Sequence, residues 1–183
     1  MKKVAILLVT CVFALTAVAQ NGKWFASEFS TEGVQKGYRG FVDLSYGVGT
    51  GTFGQNHFDI TTVHGIQALP CLYVGVGTGL FYYTDAEVGS LPFFADLRTD
   101  MRNSRISPFF DLRVGYGIGD AVNGFYLNPS AGCRFGITRN LALNASIGYA
   151  SQSSEWDVHY GLSYVGSVRK SIGSVNFRMS LEF

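Results

Sequence analysis

The chain has 183 residues, which suits one domain, and only 15% of them are charged. Its 14 Lys and Arg residues against 13 Asp and Glu give a net charge of +1. Loss of Lys2 and Lys3 with a cleaved leader would leave 12 against 13, a net of −1. Without a basic excess the chain has no electrostatic footprint for nucleic acid, so we exclude that partner class. No Cys/His spacing resembles a zinc site, and we expect no metal or other cofactor.

The N-terminus has the pattern of a signal peptide, which we assign to residues 1–19. Lys2 and Lys3 precede the apolar run from Val4 to Val18, and Ala17-Val18-Ala19 is an A-x-A cleavage site. The mature chain would then begin at Gln20. Two alternatives stay open. One is a retained anchor, for which the run is short against the roughly 20 residues that a spanning helix needs. The other is lipoprotein processing at Cys11.

The segment 20–36 is polar and without a clear period, and we assign it to an N-terminal extension. The barrel domain is assigned to 37–183, where segments of alternating character recur between turn-like clusters. About eight segments have a length near the roughly 9–11 residues of a tilted membrane strand. They are Gly37–Gly49, Asn56–Ala68, Cys71–Tyr83, Leu91–Met101, Ile106–Gly119, Gly124–Thr138, Asn140–Ala150 and Ser171–Phe183.

Each clear strand alternates between an apolar face and a polar or very small one. The last strand does so best, with Val175 and its alternate neighbours apolar and Asn176, Arg178, Ser180 and Glu182 between them. A soluble antiparallel sandwich alternates in the same way. Here, however, the polar face is rich in Gly, Ala and Ser, which a narrow barrel needs inside. The predicted fold is all-β, a single antiparallel up-and-down transmembrane β-barrel of about eight strands.

The connections between these segments differ in length. Leu69-Pro70, residues 103–105 and Arg139-Asn140 are short, whereas the longest connection is 151–170. Membrane barrels have short periplasmic turns and longer external loops, so we expect periplasmic termini and an external 151–170 loop. Four tyrosines near the upper strand ends resemble an interfacial aromatic girdle. They are Tyr46, Tyr82, Tyr116 and Tyr149.

The C-terminal strand resembles that of bacterial outer-membrane proteins, with apolar Phe177, Met179, Leu181 and a terminal Phe183. Together with the signal peptide, strand number and loop asymmetry, it makes residues 37–183 similar to the small OmpA/OmpX-like barrels. The resemblance implies integral location in the bacterial outer membrane, contact with outer-membrane lipids and lipopolysaccharide, and recognition of the last strand by the barrel-assembly machinery. It implies no catalytic residues.

A short pattern, Phe-x-Asp-Leu, occurs three times and should turn its Asp inward and its Leu outward. Other charged residues share the inward parity, so we predict an interior charge cluster in the periplasmic half. Its members are Asp43, Asp96, Arg98, Asp111, Arg113, Arg134, Arg178 and Glu182. Buried charges must pair. The cluster would act either as a salt-bridged plug, the interpretation we favour, or as a charged constriction for ions.

The remaining polar and aromatic candidates belong to the external side. Candidate contacts to an extracellular ligand within 151–170 are Trp156, His159, Tyr160 and Tyr164. His64 has the lipid-facing parity near the middle of its strand, which indicates either a local bulge or a different strand register. By parity Cys71 points inward and Cys133 outward, so no disulfide is expected.

Three functions remain at this stage. The leading hypothesis is a closed, non-enzymatic barrel with a structural or surface-interaction role through its external loops. The alternatives are a narrow channel for ions or small solutes and, less favoured, a lipid-modifying hydrolase that combines His57 or His159 with Ser153, Ser154 and Glu155.

Overall fold

The computed structural model describes residues 37–52, 54–69, 71–85, 87–101, 106–119, 122–138, 141–160 and 163–183. The side chains of 154–160 and 163–170 are outside this description. The predicted signal peptide and the extension 20–36 also lie outside the described residues. Within the described part of the chain, no helix is long and apolar enough to cross a membrane.

Eight strands form one closed antiparallel barrel. Each strand pairs with the next in the chain, and β1 pairs with β8 to close the barrel. The predicted all-β, eight-stranded up-and-down architecture is therefore confirmed. The strands are β1 (Tyr38–Thr50), β2 (His57–Leu69), β3 (Leu72–Tyr83), β4 (Val88–Asp100), β5 (Ile106–Gly119), β6 (Gly124–Gly136), β7 (Ala142–Tyr160) and β8 (Ser163–Glu182).

The period-two pattern sorts side chains between the lumen and the outer surface. In all three Phe-x-Asp-Leu segments the Asp is buried inside the barrel, and the following residues Leu44, Leu97 and Leu112 are exposed on the outer face. Successive side chains of a strand point to opposite faces, so one apolar residue in two suffices to give an apolar exterior. The barrel consequently has an apolar exterior and a lumen that holds most of the described charged side chains.

Small residues make room for large ones in this narrow lumen. A Cβ atom on Gly77 would lie 2.5 Å from the Phe94 ring, and one on Gly75 would clash with the Tyr73 hydroxyl oxygen. Tyr73 and Phe94 are both buried inside the barrel. Eight strands leave space for side chains only, and glycine at these two positions of β3 leaves room for the ring of Tyr73 on the same strand and of Phe94 on the neighbouring strand.

The segment 151–170, predicted as a long loop, is a β-hairpin instead. β7 continues to Tyr160 and β8 begins at Ser163. Pairing of β7 with β6 ends at Gln152, and pairing of β8 with β1 ends at Gly173. Beyond those points the two arms pair only with each other, as in the Glu155–Arg169 pair. The hairpin therefore extends past the rim of the barrel, and we call its two arms, 153–160 and 163–172, the projecting hairpin.

Two finer expectations about the strands are wrong. His64 lies on the outer face in a continuous register, and the β2–β3 irregularity falls between Gln67 and Leu69. Its Nε2 atom is 2.9 Å from the Thr62 hydroxyl oxygen, and its ring stacks on Tyr38, so hydrogen bonds satisfy it without a bulge. Cys71 lies in the β2–β3 turn and is exposed, not inside the lumen.

Candidate functional site

The eight charged residues predicted for the interior line the barrel lumen. Seven of them are buried, and Arg134, at the rim, is partly exposed. They form two groups along the barrel axis. We call the end where β1 begins and β8 ends the lower end, and the end that carries the projecting hairpin the upper end.

The middle ion cluster consists of Asp43, Asp96, Asp111, Arg113 and Arg178. Arg113 lies at its centre: its Nη2 atom is 2.6 Å from an Asp43 oxygen, and its Nε atom is 3.1 Å from Asp96 and 3.5 Å from Asp111. Arg178 binds the same Asp111 oxygen at 2.6 Å. The five residues come from β1, β4, β5 and β8, so the cluster ties opposite walls of the barrel together.

The lower ion cluster consists of Arg39, Arg98, Asp100, Arg134 and Glu182. Glu182 receives Arg134 Nε at 2.9 Å and Arg39 Nη2 at 3.1 Å. Asp100 receives Arg39 Nη1 at 2.7 Å and Arg98 Nε at 3.1 Å. The sequence prediction named Arg98, Arg134 and Glu182 but missed Arg39 and Asp100, although both have the inward parity of their strands.

Aromatic rings and amides fill the space between the charged groups. The Arg98 guanidinium carbon lies 3.6 Å from the centre of the Phe109 ring, and that of Arg113 lies 5.0 Å from the Phe94 ring. Arg98 Nη2 also donates to Asn144 at 2.8 Å. Stacking on rings and bonding to amides compensates a guanidinium for lost water, so these contacts hold the arginines inside the lumen.

Above the middle cluster the lumen changes to a mixed aromatic and polar lining. Ser45 donates to Asp59 at 2.8 Å, and His57 Nε2 is 3.4 Å from the same Asp59 oxygen. All three side chains are buried. In a hydrolytic triad the histidine lies between the nucleophile and the acid. Here the carboxylate lies between the serine and the histidine, so the group has the wrong order for that chemistry.

A small cavity lies at this upper level of the lumen. It is lined by His57, Phe81, Tyr83, Tyr126, Ala150, Gln152, Ile172 and Ser174. Tyr83 donates to Gln152 Oε1 at 2.7 Å across it. Among the described residues, no group of three or more His, Cys, Asp or Glu is arranged to hold a metal ion.

The four candidate ligand contacts of the external segment lie on the projecting hairpin. Trp156 pairs with Val168, His159 pairs with Tyr164, and Tyr160 pairs with Ser163. They therefore occupy strand positions on both arms, with an irregularity in the register between Val158 and His159, whereas the sequence prediction had put them in a loop. The directions of their side chains lie outside the described part of the structure.

The outer surface carries the residues of the predicted assembly signal and aromatic girdle. Phe177, Met179 and Leu181 are exposed on β8. Phe183 exchanges two backbone hydrogen bonds with Gly40, of 2.8 and 3.0 Å, and so completes the seam between β1 and β8. All four girdle tyrosines are also exposed on the outer face. These four residues are Tyr46, Tyr82, Tyr116 and Tyr149.

Comparison with known proteins finds similarity at the level of fold. Neisserial surface protein A is similar with a TM-score of 0.63 and 13% identity, over 80% of this chain and 97% of that one. The outer membrane protein OprG from Pseudomonas aeruginosa is similar with a TM-score of 0.56 and 10% identity, over 84% and 99% of the two chains. No family model and no curated protein matches the sequence. At such low identities the likeness concerns the barrel fold alone.

Proposed function

We propose that this protein is an integral barrel of the bacterial outer membrane, with periplasmic termini, whose lumen is closed and whose projecting hairpin is its working surface. Its structural neighbours include a protein named as an outer membrane protein and one named as a surface protein. The exposed apolar outer face supports contact with lipid, since a soluble barrel would bury such a face. Lipopolysaccharide and other outer-membrane lipids are then the partners of this face, and the barrel-assembly machinery recognises β8.

The observation that carries the closed lumen is the middle ion cluster. Its salt bridges of 2.6 Å join Arg113 of β5 to Asp43 of β1, and Arg178 of β8 to Asp111 of β5. These bridges cross the lumen, and the groups that form them are almost completely buried. A continuous water path would expose these groups, so their burial favours a plug over a conducting constriction.

The projecting hairpin supports a surface-interaction role because, among the described segments, it extends furthest beyond the rim of the barrel. β7 and β8 have 19 and 20 residues, whereas β1 to β6 have 12 to 14. Trp156, Tyr160 and Tyr164 belong to it, and such residues are enriched at binding hot spots. With periplasmic termini, the hairpin faces the cell exterior.

Two measurements on the mature chain refolded in lipid test the proposal. Planar-bilayer recordings should give no steady unitary conductance, while an unboiled gel sample shows the folded form. Replacing 154–169 with a two-residue turn should abolish binding of an extracellular ligand or surface without loss of folding. A matched variant with a shortened β3–β4 turn, at the same end of the barrel, should still bind. Reproducible conductance through the folded barrel would contradict the plug and favour the alternative, a narrow ion or small-solute channel.

A further inference from the structure

His64 is an ionisable side chain on the lipid-facing side of the barrel. It lies on the outer face of β2, half-buried, and pairs directly with Val76 of β3, which is 68% exposed near the middle of its strand. Ionisable residues are rare at membrane depth, and those that occur there are generally paired and functional. The partners of His64 therefore indicate what it does.

Two hydrogen bonds use both ring nitrogens of His64. Its Nε2 atom is 2.9 Å from Thr62 Oγ1, and its Nδ1 atom is 2.5 Å from the Tyr38 hydroxyl oxygen. Thr62 has one hydroxyl hydrogen, which it donates to Phe41 O at 3.3 Å, so its oxygen accepts from His64 Nε2–H. Nδ1 is then the acceptor for the Tyr38 hydroxyl. This chain of hydrogen bonds requires a neutral imidazole with its hydrogen on Nε2.

The His64 ring also packs against both ends of the barrel sheet. Tyr38 is the first residue of β1, and Phe183 follows the last residue of β8. Gly40 lies between them: a Cβ atom there would be 2.6 Å from the Phe183 ring and 3.0 Å from the Tyr38 hydroxyl oxygen. The His64 ring stacks on Tyr38 with 6.0 Å between the ring centres, and it meets the Phe183 ring edge-on at 6.5 Å. Glycine at position 40 thus lets three rings form one cluster across β8, β1 and β2.

We propose that Tyr38, His64 and Thr62 are a pH-sensitive latch that fastens the lower end of the β1–β8 seam, and that a proton on His64 releases it. An imidazolium has two N–H donors and no acceptor, so Nδ1 can no longer receive the Tyr38 hydrogen. That hydrogen must then turn towards lipid, and the ring gains a charge beside Val76. The latch rests on the proposed lipid-facing outer face, but on neither the plug nor the projecting hairpin.

The charges around His64 decide the sign of the effect. Strand β3 has no charged residue, and below the rim the charged side chains of β1, β2 and β8 point into the lumen, as does that of His57: Arg39, Asp43, Asp59, Arg178 and Glu182. The carboxylate that ends the sequence at Phe183 faces the seam, where its oxygen accepts from Gly40 N at 2.8 Å. It favours a proton on His64, but water at the lower rim screens it. The lost Tyr38 bond and the lipid oppose the proton, so acid loosens the latch.

The first test compares the pH dependence of urea unfolding in lipid vesicles between the wild type and His64→Asn. The amide oxygen of the variant can accept from Tyr38 but takes up no proton. A histidine in the unfolded chain binds a proton below about pH 6.5, whereas the latched native state does not, so the native state loses stability as the pH falls. Between about pH 7.5 and about pH 5 the unfolding equilibrium constant should rise about tenfold more in the wild type than in His64→Asn. An equal rise in both proteins would overturn the proposal.

Two measurements on the wild type in lipid need no variant that folds. Imidazole nitrogen chemical shifts should show a bare Nδ1 and a protonated Nε2 on His64 at about pH 7.5, and a proton on Nδ1 at that pH would overturn the latch. At about pH 5 the Gly40 amide, which donates to Phe183 O, should lose about tenfold of its protection from hydrogen exchange. The control is the Asp100 amide, which donates to Cys71 O at the same end of the barrel and should keep its protection. Equal losses at both amides would mean general loosening and would also overturn the proposal.

A second variant tests the hydroxyl that His64 receives. Tyr38→Phe should raise the unfolding equilibrium constant about fivefold at about pH 7.5, because it removes one hydrogen bond. It should also lower the protection of the Gly40 amide at that pH. Tyr82→Phe, on the outer face of β3, is the matched control and should change neither quantity. A Tyr38→Phe protein that matches the wild type in both would overturn the latch.

Discussion

Removing Arg113 is the sharpest test of how the middle ion cluster holds the barrel. Its guanidinium group contacts Asp43, Asp96 and Asp111 at 2.6 to 3.5 Å, and the side chain is almost completely buried. Asp111 keeps Arg178 as a partner, but Asp43 and Asp96 lose the arginine that they contact. Breaking a buried pair by deleting one partner costs about 3–5 kcal/mol. Arg113→Met should therefore raise the unfolding equilibrium constant by roughly two to four orders of magnitude.

The assay is reversible urea unfolding in lipid vesicles, followed by far-ultraviolet circular dichroism and by the migration of unboiled samples on gels. The origin of the loss is tested by adding Asp43→Asn to Arg113→Met, because this neutralises one of the stranded carboxylates and should recover part of the stability. Arg134→Met is the matched control. Arg134 lies at the lower rim with a side chain that is 21% exposed, so its loss should cost clearly less. A cost below about 1 kcal/mol for Arg113→Met would refute the reasoning, since exposed ion pairs contribute no more than that.

Two further substitutions test the outer face and the upper lumen. Val76 is 68% exposed near the middle of β3. Val76→Arg should lower the free energy of unfolding in lipid by about 2–4 kcal/mol. Val48→Arg, near the upper end of β1, should lower it by about 1 kcal/mol or less. Equal costs would argue against a hydrocarbon layer centred on the barrel. Tyr83→Phe removes the 2.7 Å hydrogen bond to buried Gln152 and should lower stability by about 1–3 kcal/mol in the same urea experiment. Tyr82→Phe, on the exposed face, should change it by less than about 0.5 kcal/mol.

Much of the barrel could be predicted because a period of two is a strong local signal. In β8 the order of Val175, Asn176, Phe177 and Arg178 fixes which face is which, and the structure has the same faces. Arg39 and Asp100 could have been found by the same parity. They lie near strand ends, where the alternation of neighbours is short and gives the parity less support.

The hairpin and the partners within the lumen could not be predicted in the same way. Residues 151–155 are Ser, Gln and Glu, a composition typical of loops. They form a strand because they pair with residues 169–173 of β8. Which arginine meets which aspartate depends on how strands that are not neighbours face each other across the lumen. Asp43 and Arg113 are 70 residues apart and are not paired on adjacent strands. A single sequence carries no signal for such a contact.

The ion clusters have a second consequence, which concerns strand register. Buried ion pairs add little net stability, because the cost of removing charges from water offsets most of their attraction. Sliding one strand by a single residue, however, would turn its inward charges to the outer face. For β5 that slip would move Asp111 and Arg113 outward together, and an arginine at the centre of a bilayer alone costs about 2–4 kcal/mol. An apolar lumen would fill the same volume without opposing the slip. The charged lumen therefore selects one register, and this selection accounts for keeping the ten charged residues of the two ion clusters inside a barrel too narrow to hydrate them.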